Sequence, residues 1–257
     1  MSVPSKEELA RIIAQRLTIT DEKAMTLVET AEHLYIGKMQ DRFSEIRVKN
    51  RIKRTNPFLL RIRGVTSVKA WAEMQLRGAL FASEEEAVGH LLENIAKICH
   101  PGARDPVHPE DFDYEVSKEE GTVGYQVKMS WDCMPMSSRK NLSRTTEKLK
   151  EIYAADGKSF TGVFAPCYGR ATTSQSPGQQ YLSLASREFW TRVGNGDEHY
   201  DVKVGEVCAL ICSEFRATIE SALMPDLVQR LAEAAEPIIG NGTGAVDYPK
   251  LFRAINS

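Results

Sequence analysis

The chain reads as an α/β protein, a sheet flanked by helices, and three stretches carry that reading. A capped amphipathic helix runs from Ser83 to Cys99. A hairpin with period-2 alternation follows between Asp111 and Met129. A helix from Ser137 to about Ala155 then leads into Phe160-Thr-Gly-Val-Phe-Ala165, an apolar run with the length of a buried strand.

Residues 5–50 have a helical pattern. Ser5-Lys-Glu-Glu8 is a capping box, in which Ser and Glu satisfy backbone N–H groups that a helix start leaves free. Leu9, Ile12, Ile13 and Leu17 form a stripe behind it. Thr20-Asp-Glu-Lys23 opens a second helix with Met25, Leu27, Val28, Ala31, Leu34 and Tyr35 on one side. Thr55-Asn-Pro57 interrupts the pattern, Phe58-Leu-Leu60 resumes it, and Val68 to Leu80 is a further helix. These helices carry apolar stripes with too little core of their own, so residues 1–78 are expected to pack against a second copy or the main domain. Ser83 with Glu86 is again a capping box. Val88, Leu91, Leu92, Ile95 and Ile98 make the buried stripe, while Glu86, His90, Glu93 and Lys97 share another face. A loop spans Pro101 to Pro109. After the hairpin, Ser130 to Pro135 is irregular. Pro166 to Gln180 is a polar loop, Tyr181-Leu-Ser-Leu184 a second short strand, Ser186 to Trp190 a short helix, and Val204 to Thr218 an apolar helix. Residues 236–257 contain Gly240-Asn-Gly-Thr-Gly244 and read as a loosely attached tail.

Composition bounds the function. At 257 residues the chain can bury a sizeable core. No apolar run approaches the roughly 20 residues that span a bilayer, and the polar N-terminus has no secretory pattern, so a cytoplasmic protein is expected. Cys99, Cys133, Cys167, Cys208 and Cys212 are odd in number and widely spaced, which suits reduced thiols without zinc. The five histidines show no metal-ligand spacing. Net charge is −2, yet the charge is uneven. Lys38, Arg42, Arg47, Lys49, Arg51, Lys53, Arg54, Arg61, Arg63, Lys69 and Arg77 face only Asp41, Glu45 and Glu73. Arg139, Lys140, Arg144, Lys148 and Lys150 form a second basic cluster. Each fits either a phosphate-tracking surface or a solvated helix face.

The hairpin carries the chemistry. Phe112, Tyr114, Val116, Val123, Tyr125, Val127 and Met129 alternate with Asp111, Asp113, Glu115, Gln126 and Lys128, and Ser117-Lys-Glu-Glu-Gly121 forms the turn. Folding at that turn sets Asp113 opposite Gln126 and Lys128. A carboxylate, an amide oxygen and an amine on one face can hold Mg²⁺ beside a scissile phosphate. A charged outer face is equally what a sheet with one solvated side presents.

Helix with Glu, loop, strand with Asp, turn, strand with Gln-x-Lys, helix, strand is an order that resembles the PD-(D/E)xK nuclease superfamily. Within it the chain is similar to type II restriction endonucleases, notably those cutting purine-GGNCC-pyrimidine sites. The similar stretches are Ser83 to Ala96, Asp111-Phe-Asp-Tyr-Glu115, Gly124-Tyr-Gln-Val-Lys128, Ser137-Ser138, Cys167-Tyr-Gly169, Glu188-Phe-Trp190 and Gly196-Asp-Glu-His-Tyr200. Gln126 stands where the family usually has Glu, which bears on metal affinity. Met129 to Met136 departs from the expected Asn/Gly-rich segment, which bears on the target sequence.

The resemblance implies a restriction-endonuclease-like mixed central sheet flanked by helices: residues 1–78 a helical N-terminal dimerisation region, 79–235 the nuclease domain, 236–257 a tail. It implies a homodimeric, Mg²⁺-dependent endodeoxyribonuclease acting on duplex DNA and leaving 5′-phosphates. Asp113, Gln126 and the Val127 carbonyl would bind the metal, with Asp111 as a rival to Asp113. Glu86 would add a carboxylate or simply cap its helix. Lys128 would stabilise charge on the phosphoryl oxygens or take a proton from the attacking water. Trp131, Ser137, Ser138, Arg139, Lys140, Asn141 and Arg170 are the expected DNA contacts. A structure-specific repair or recombination nuclease and a catalytically silent DNA-binding protein are the alternatives.

Overall fold

A computed structural model describes residues 4–44, 47–108, 111–119, 121–218 and 223–256, except for the side chains of 40, 43, 44 and 214–218. Glu45 of the first basic stretch, Pro109 of the expected loop and Glu120 of the expected turn lie outside the described residues. The chain divides into two compact units. One comprises Met1–Glu32 and Val88–Ile211, the other His33–Ala87 and Cys212–Ser257.

The first unit is built on a mixed sheet of five strands among the described residues, ordered β1-β2-β3-β4-β5. They are β1 (Ala103–Arg104), β2 (Tyr114–Lys118), β3 (Gly121–Ser130), β4 (Ser159–Tyr168) and β5 (Leu182–Ser183). β1, β2 and β3 run antiparallel; β3, β4 and β5 run parallel. The hairpin pairs Tyr114 with Tyr125 and Val116 with Val123, the register its alternation predicts. The parallel pair needs a crossover, and α7 (Met136–Ala155) supplies it between β3 and β4. Gly162 lets that helix lie close: a Cβ there would come within 2.3 Å of the Thr146 hydroxyl. Phe112, Leu142, Leu149, Tyr153, Phe160 and Phe164 fill the space beneath α7.

The other layer comes from the second half of α6 (Val68–Cys99) and from α8 (Ser186–Val193). His100, just past α6, meets the rings of Tyr114 and Tyr125 edge-on, and those two rings stack at 4.9 Å. The indole of Trp190 on α8 donates to the Cys167 carbonyl at 2.9 Å. The expected charged face is therefore covered. Glu115 is only 2 % exposed and pairs with Arg104.

Several expectations are corrected. Phe112 packs edge-to-face on Phe160 and lies within reach of a Gly124 Cβ, on the α7 side and not with Tyr114. The regular pairing of β2 begins only at Tyr114, and Asp111 takes a left-handed backbone conformation (φ 65°), so the alternation does not extend back to Phe112. Val68–Leu80 and Ser83–Cys99 are one helix, because no Gly-Pro break separates them and the Ser83 box falls within it. The caps at Ser5 and Thr20 are formed. They open α1 (Lys6–Leu17) and α2 (Asp21–Ala31), which belong to the sheet-bearing unit and not with residues 33–78. Tyr200 of α9 (Tyr200–Thr218) donates to the Leu17 carbonyl at 3.3 Å, and Glu206 pairs with Arg16.

The second unit is helical. A π-helical turn, Glu32–Gly37, leads into α3 (Lys38–Ser44), α4 (Val48–Lys53) and α5 (Pro57–Ile62), followed by the first half of α6. Asn56 caps α5, with Pro57 in its first turn. Residues 236–257 are not a loose tail. They include the end of α10 (Met224–Ile239) and all of α11 (Tyr248–Ile255), whose Tyr248 and Leu251 are buried. Trp71, fully buried, donates to the Thr55 hydroxyl at 3.0 Å.

Candidate active site

The end of β3 gathers the polar groups. Lys128 Nζ donates to the Val127 carbonyl at 2.7 Å and to Glu93 Oε1 at 3.2 Å, and lies 3.8 Å from Asp113 Oδ2. Asp113 Oδ2 accepts a 2.6 Å hydrogen bond from the Val127 N–H. His90, one turn before Glu93 on α6, stands 3.4 Å from Glu93 Oε2. Two carboxylates and a carbonyl thus surround one ammonium. Hard oxygens so disposed would receive a divalent cation as readily.

Each group is placed by its element. Asp113 sits just before β2, where its carboxylate replaces a ladder partner for Val127. Val127 itself is fully buried in mid-sheet, which fixes its carbonyl. α6 passes over β3 at Gly89, where a Cβ would meet that of Met129 at 4.0 Å. His90 and Glu93 follow on the next turn. Burial raises the Asp113 carboxyl from 3.8 to about 6, and Glu93 adds to the rise against the pull of Lys128, the Val127 N–H and His90. A carboxylate held in that state gains from any cation placed against it. Among the described residues no three His, Cys, Asp or Glu side chains are grouped for a metal ion. The candidate donors are instead two carboxylates with neutral oxygens, a set that suits Mg²⁺, which keeps waters and completes its shell from substrate.

Of the residues singled out in the sequence, Asp113, Val127 and Lys128 come together. Gln126 immediately precedes Val127 on β3, in register with Phe164 of β4. Glu86 is not among them: its carboxylate pairs with Arg42 at 3.4 Å. Glu93, about two turns further along α6, supplies the helix carboxylate. The signal was present, since Glu86 and Glu93 share a helix face and Glu93 lies nearer the loop that enters the sheet. Asp111 turns to the hydroxyl of Thr145 on α7.

The expected DNA contacts divide. Ser137, Lys140 and Asn141 are exposed in the first turns of α7, whose N-terminus no side chain caps. Ser138 is half-buried beside them. Arg139 is used internally: it donates to the Trp131 carbonyl at 2.7 Å and the Met134 carbonyl at 3.1 Å. Trp131 is 46 % exposed and lies over Gly169, where φ is +88° and a Cβ would come within 2.8 Å of the indole. That contact and the Trp190–Cys167 bond interlock the Cys-Tyr-Gly and Phe-Trp stretches. Arg170 folds back to Ser174 at 2.7 Å, and its Nε is buried without a partner. No helix among the described residues is long and apolar enough to cross a membrane.

A search among curated proteins finds no match. A family model described as type II restriction endonuclease EcoO109I matches residues 22–209, well over half of the chain and all of the cluster around Lys128. The protein belongs to that family of type II restriction endonucleases.

Proposed function

We propose that the protein is a Mg²⁺-dependent homodimeric endonuclease that hydrolyses duplex DNA and leaves 5′-phosphates, with its centre at Asp113, Glu93, Gln126, Val127 and Lys128. The observation that carries this reading is the convergence of Asp113, Glu93 and the Val127 carbonyl on the Lys128 ammonium. Asp113, Glu93, the Gln126 amide oxygen and the Val127 carbonyl would hold the metal. Bound there, Mg²⁺ supplies Lewis-acid polarisation of the phosphate and a more acidic water.

The chain's own residues do the rest. Asp113 is oriented by the Val127 N–H on Oδ2, which would leave its other oxygen for the metal. Glu93 is steadied by His90 and balances the lysine before substrate arrives. Lys128 then turns from its internal acceptors to the phosphoryl oxygens, where negative charge grows in the transition state. Gln126 gives an oxygen but no charge, so the site relies on the DNA phosphate to complete metal binding.

Ser137, Ser138, Lys140 and Asn141 at the open start of α7 would take backbone phosphates, and Trp131 would pack against sugar. Arg139 contributes by bracing the loop that carries Trp131. Arg170, released from Ser174, would read base edges.

A palindromic site read by a two-fold protein calls for a second subunit. α5 presents Phe58 at 67 % and Ile62 at 82 % exposure, an apolar face suited to that contact. Sedimentation should find a dimer at micromolar concentration; a monomer both free and on DNA would exclude it. The function is tested by digesting mixed-sequence plasmid DNA with Mg²⁺ and sequencing the fragment ends. Discrete bands with 5′-phosphates are expected. Structure-dependent nicking would favour a repair nuclease, and no product a silent DNA-binding protein.

A further inference from the structure

The helical unit contains a cavity of about 440 Å³ whose lining includes Arg42, Arg51, Arg54 and Arg63. They come from three places in the chain: α3, the end of α4, and the residue after α5. The first half of α6, around Gly78 and Ser83, forms the opposite wall. Among the described residues one carboxylate, Glu86, lines it, and that one is 3.4 Å from Arg42. Among the described residues no carboxylate pairs with Arg51, Arg54 or Arg63.

This is not how a solvated basic face is arranged. Other cations of the same stretch are used differently: Arg61 stacks 3.8 Å over the Tyr248 ring, and Arg77 pairs with Glu73. Arg51 is half-buried, and its guanidinium is held below the usual arginine range by burial, with Arg54 and Arg42 adding repulsion. Among the described residues Glu86 lines the space and Asp41 borders the adjoining recess beside Arg42, so the four guanidinium groups outnumber the carboxylates near them and leave net positive potential. Arginine's planar fork matches phosphate oxygens two at a time. The volume lies in the range of small-ligand pockets and exceeds what a single phosphate needs.

We propose that this cavity binds phosphate oxyanions, separately from the cluster around Lys128. The phosphates could belong to the backbone of duplex DNA, which rests on the nuclease reading, or to a small oligophosphate, which does not.

The test uses the full-length protein in EDTA, so that no cleavage enters, with sodium tripolyphosphate and a random-sequence 24-base-pair duplex as probes. Wild type and Arg51→Gln/Arg54→Gln are compared. Tripolyphosphate should raise the melting temperature of the wild type, and the double variant should lose that response. If DNA is the source, the slope of log affinity against log salt should also become shallower by about two. Loss of the tripolyphosphate response with an unchanged slope assigns the cavity to a small phosphate compound. A variant matching wild type in both measurements overturns the proposal.

Two controls keep the result readable. Arg54→Gln alone, at an exposed position, should carry about half of the change. Without ligand, the double variant should melt no lower than wild type, because repulsion has been relieved. A protein that binds tripolyphosphate in this way but cuts no plasmid would sink the hydrolytic reading and leave this one standing.

Discussion

Asp113→Asn should stabilise the metal-free protein at pH 8 while destroying its function. Burial has moved the Asp113 carboxyl from 3.8 to about 6. The folded state therefore holds this proton more tightly than the unfolded state does. Its contribution is fully present below pH 4 and is lost as pH rises through 6. Each pKa unit corresponds to about 1.4 kcal/mol, so the ionised carboxylate costs about 3 kcal/mol at pH 8. The side chain is 28 % accessible, and solvent screening brings the figure nearer 2 kcal/mol.

The wild-type pH profile alone will not show this. Burial lowers the His100 imidazole from 6.5 to about 4, so its contribution runs the opposite way and is lost as pH falls below 6.5. The two slopes nearly cancel between pH 4 and 6.5. The difference between wild type and Asp113→Asn removes His100 from the comparison. Urea unfolding in EDTA at pH 4.5 and pH 8 should find the variant about 2 kcal/mol more stable than wild type at pH 8 and less than half as much at pH 4.5, where the unfolded carboxyl is already mostly ionised. Without DNA, millimolar Mg²⁺ should raise wild-type stability at pH 8 by no more than about half a kcal/mol, because the DNA phosphate completes the site, and leave the variant unchanged. A difference that is the same at both pH values would refute the assignment of a buried, strained carboxylate at 113.

The remaining predictions separate neighbouring roles. Glu93→Gln should lower plasmid cleavage by about a hundredfold, whereas Glu86→Gln should stay within a few-fold, as measured by single-turnover digestion. Gln126→Glu should lower the Mg²⁺ concentration giving half-maximal cleavage and Gln126→Ala should raise it; superimposable titrations would exclude Gln126 as a ligand. Gly162→Ala should cost about 2–3 kcal/mol by pressing on Thr146. Adding Thr146→Ala should restore most of it, since the nearest remaining Thr146 atom would be 3.1 Å away; chemical denaturation checks both.

The hairpin register was legible because a period of two leaves no freedom once Tyr114 and Tyr125 must share a buried face. Asp113, Val127 and Lys128 followed from that register. The caps at Ser5 and Thr20 were legible for a local reason, a hydroxyl reaching an N–H three residues on. Glu93 was not chosen over Glu86, because a helical face repeats and the turn that meets the sheet is set by where α6 crosses β3. Phe112 was misplaced because the left-handed turn at Asp111 ends the alternation, and Asp is a residue that tolerates that conformation without announcing it. Arg139 looked like a phosphate contact by composition, yet its donors close on carbonyls of its own loop. The division of the helices between the two units was hidden for a similar reason. A stripe such as Ile13 and Leu17 says that a helix is covered, not by what.

Lys128→Ala, assayed for plasmid cleavage in Mg²⁺ and for duplex affinity in EDTA, tests the account at its centre. In the proposed centre this lysine serves the reacting phosphate, while affinity comes from contacts elsewhere. Cleavage should fall by about a hundred- to a thousandfold, with DNA affinity within about threefold of wild type. A variant that cuts within about tenfold of wild type would show that the hydrolytic centre lies somewhere other than the cluster of Asp113, Glu93 and Lys128.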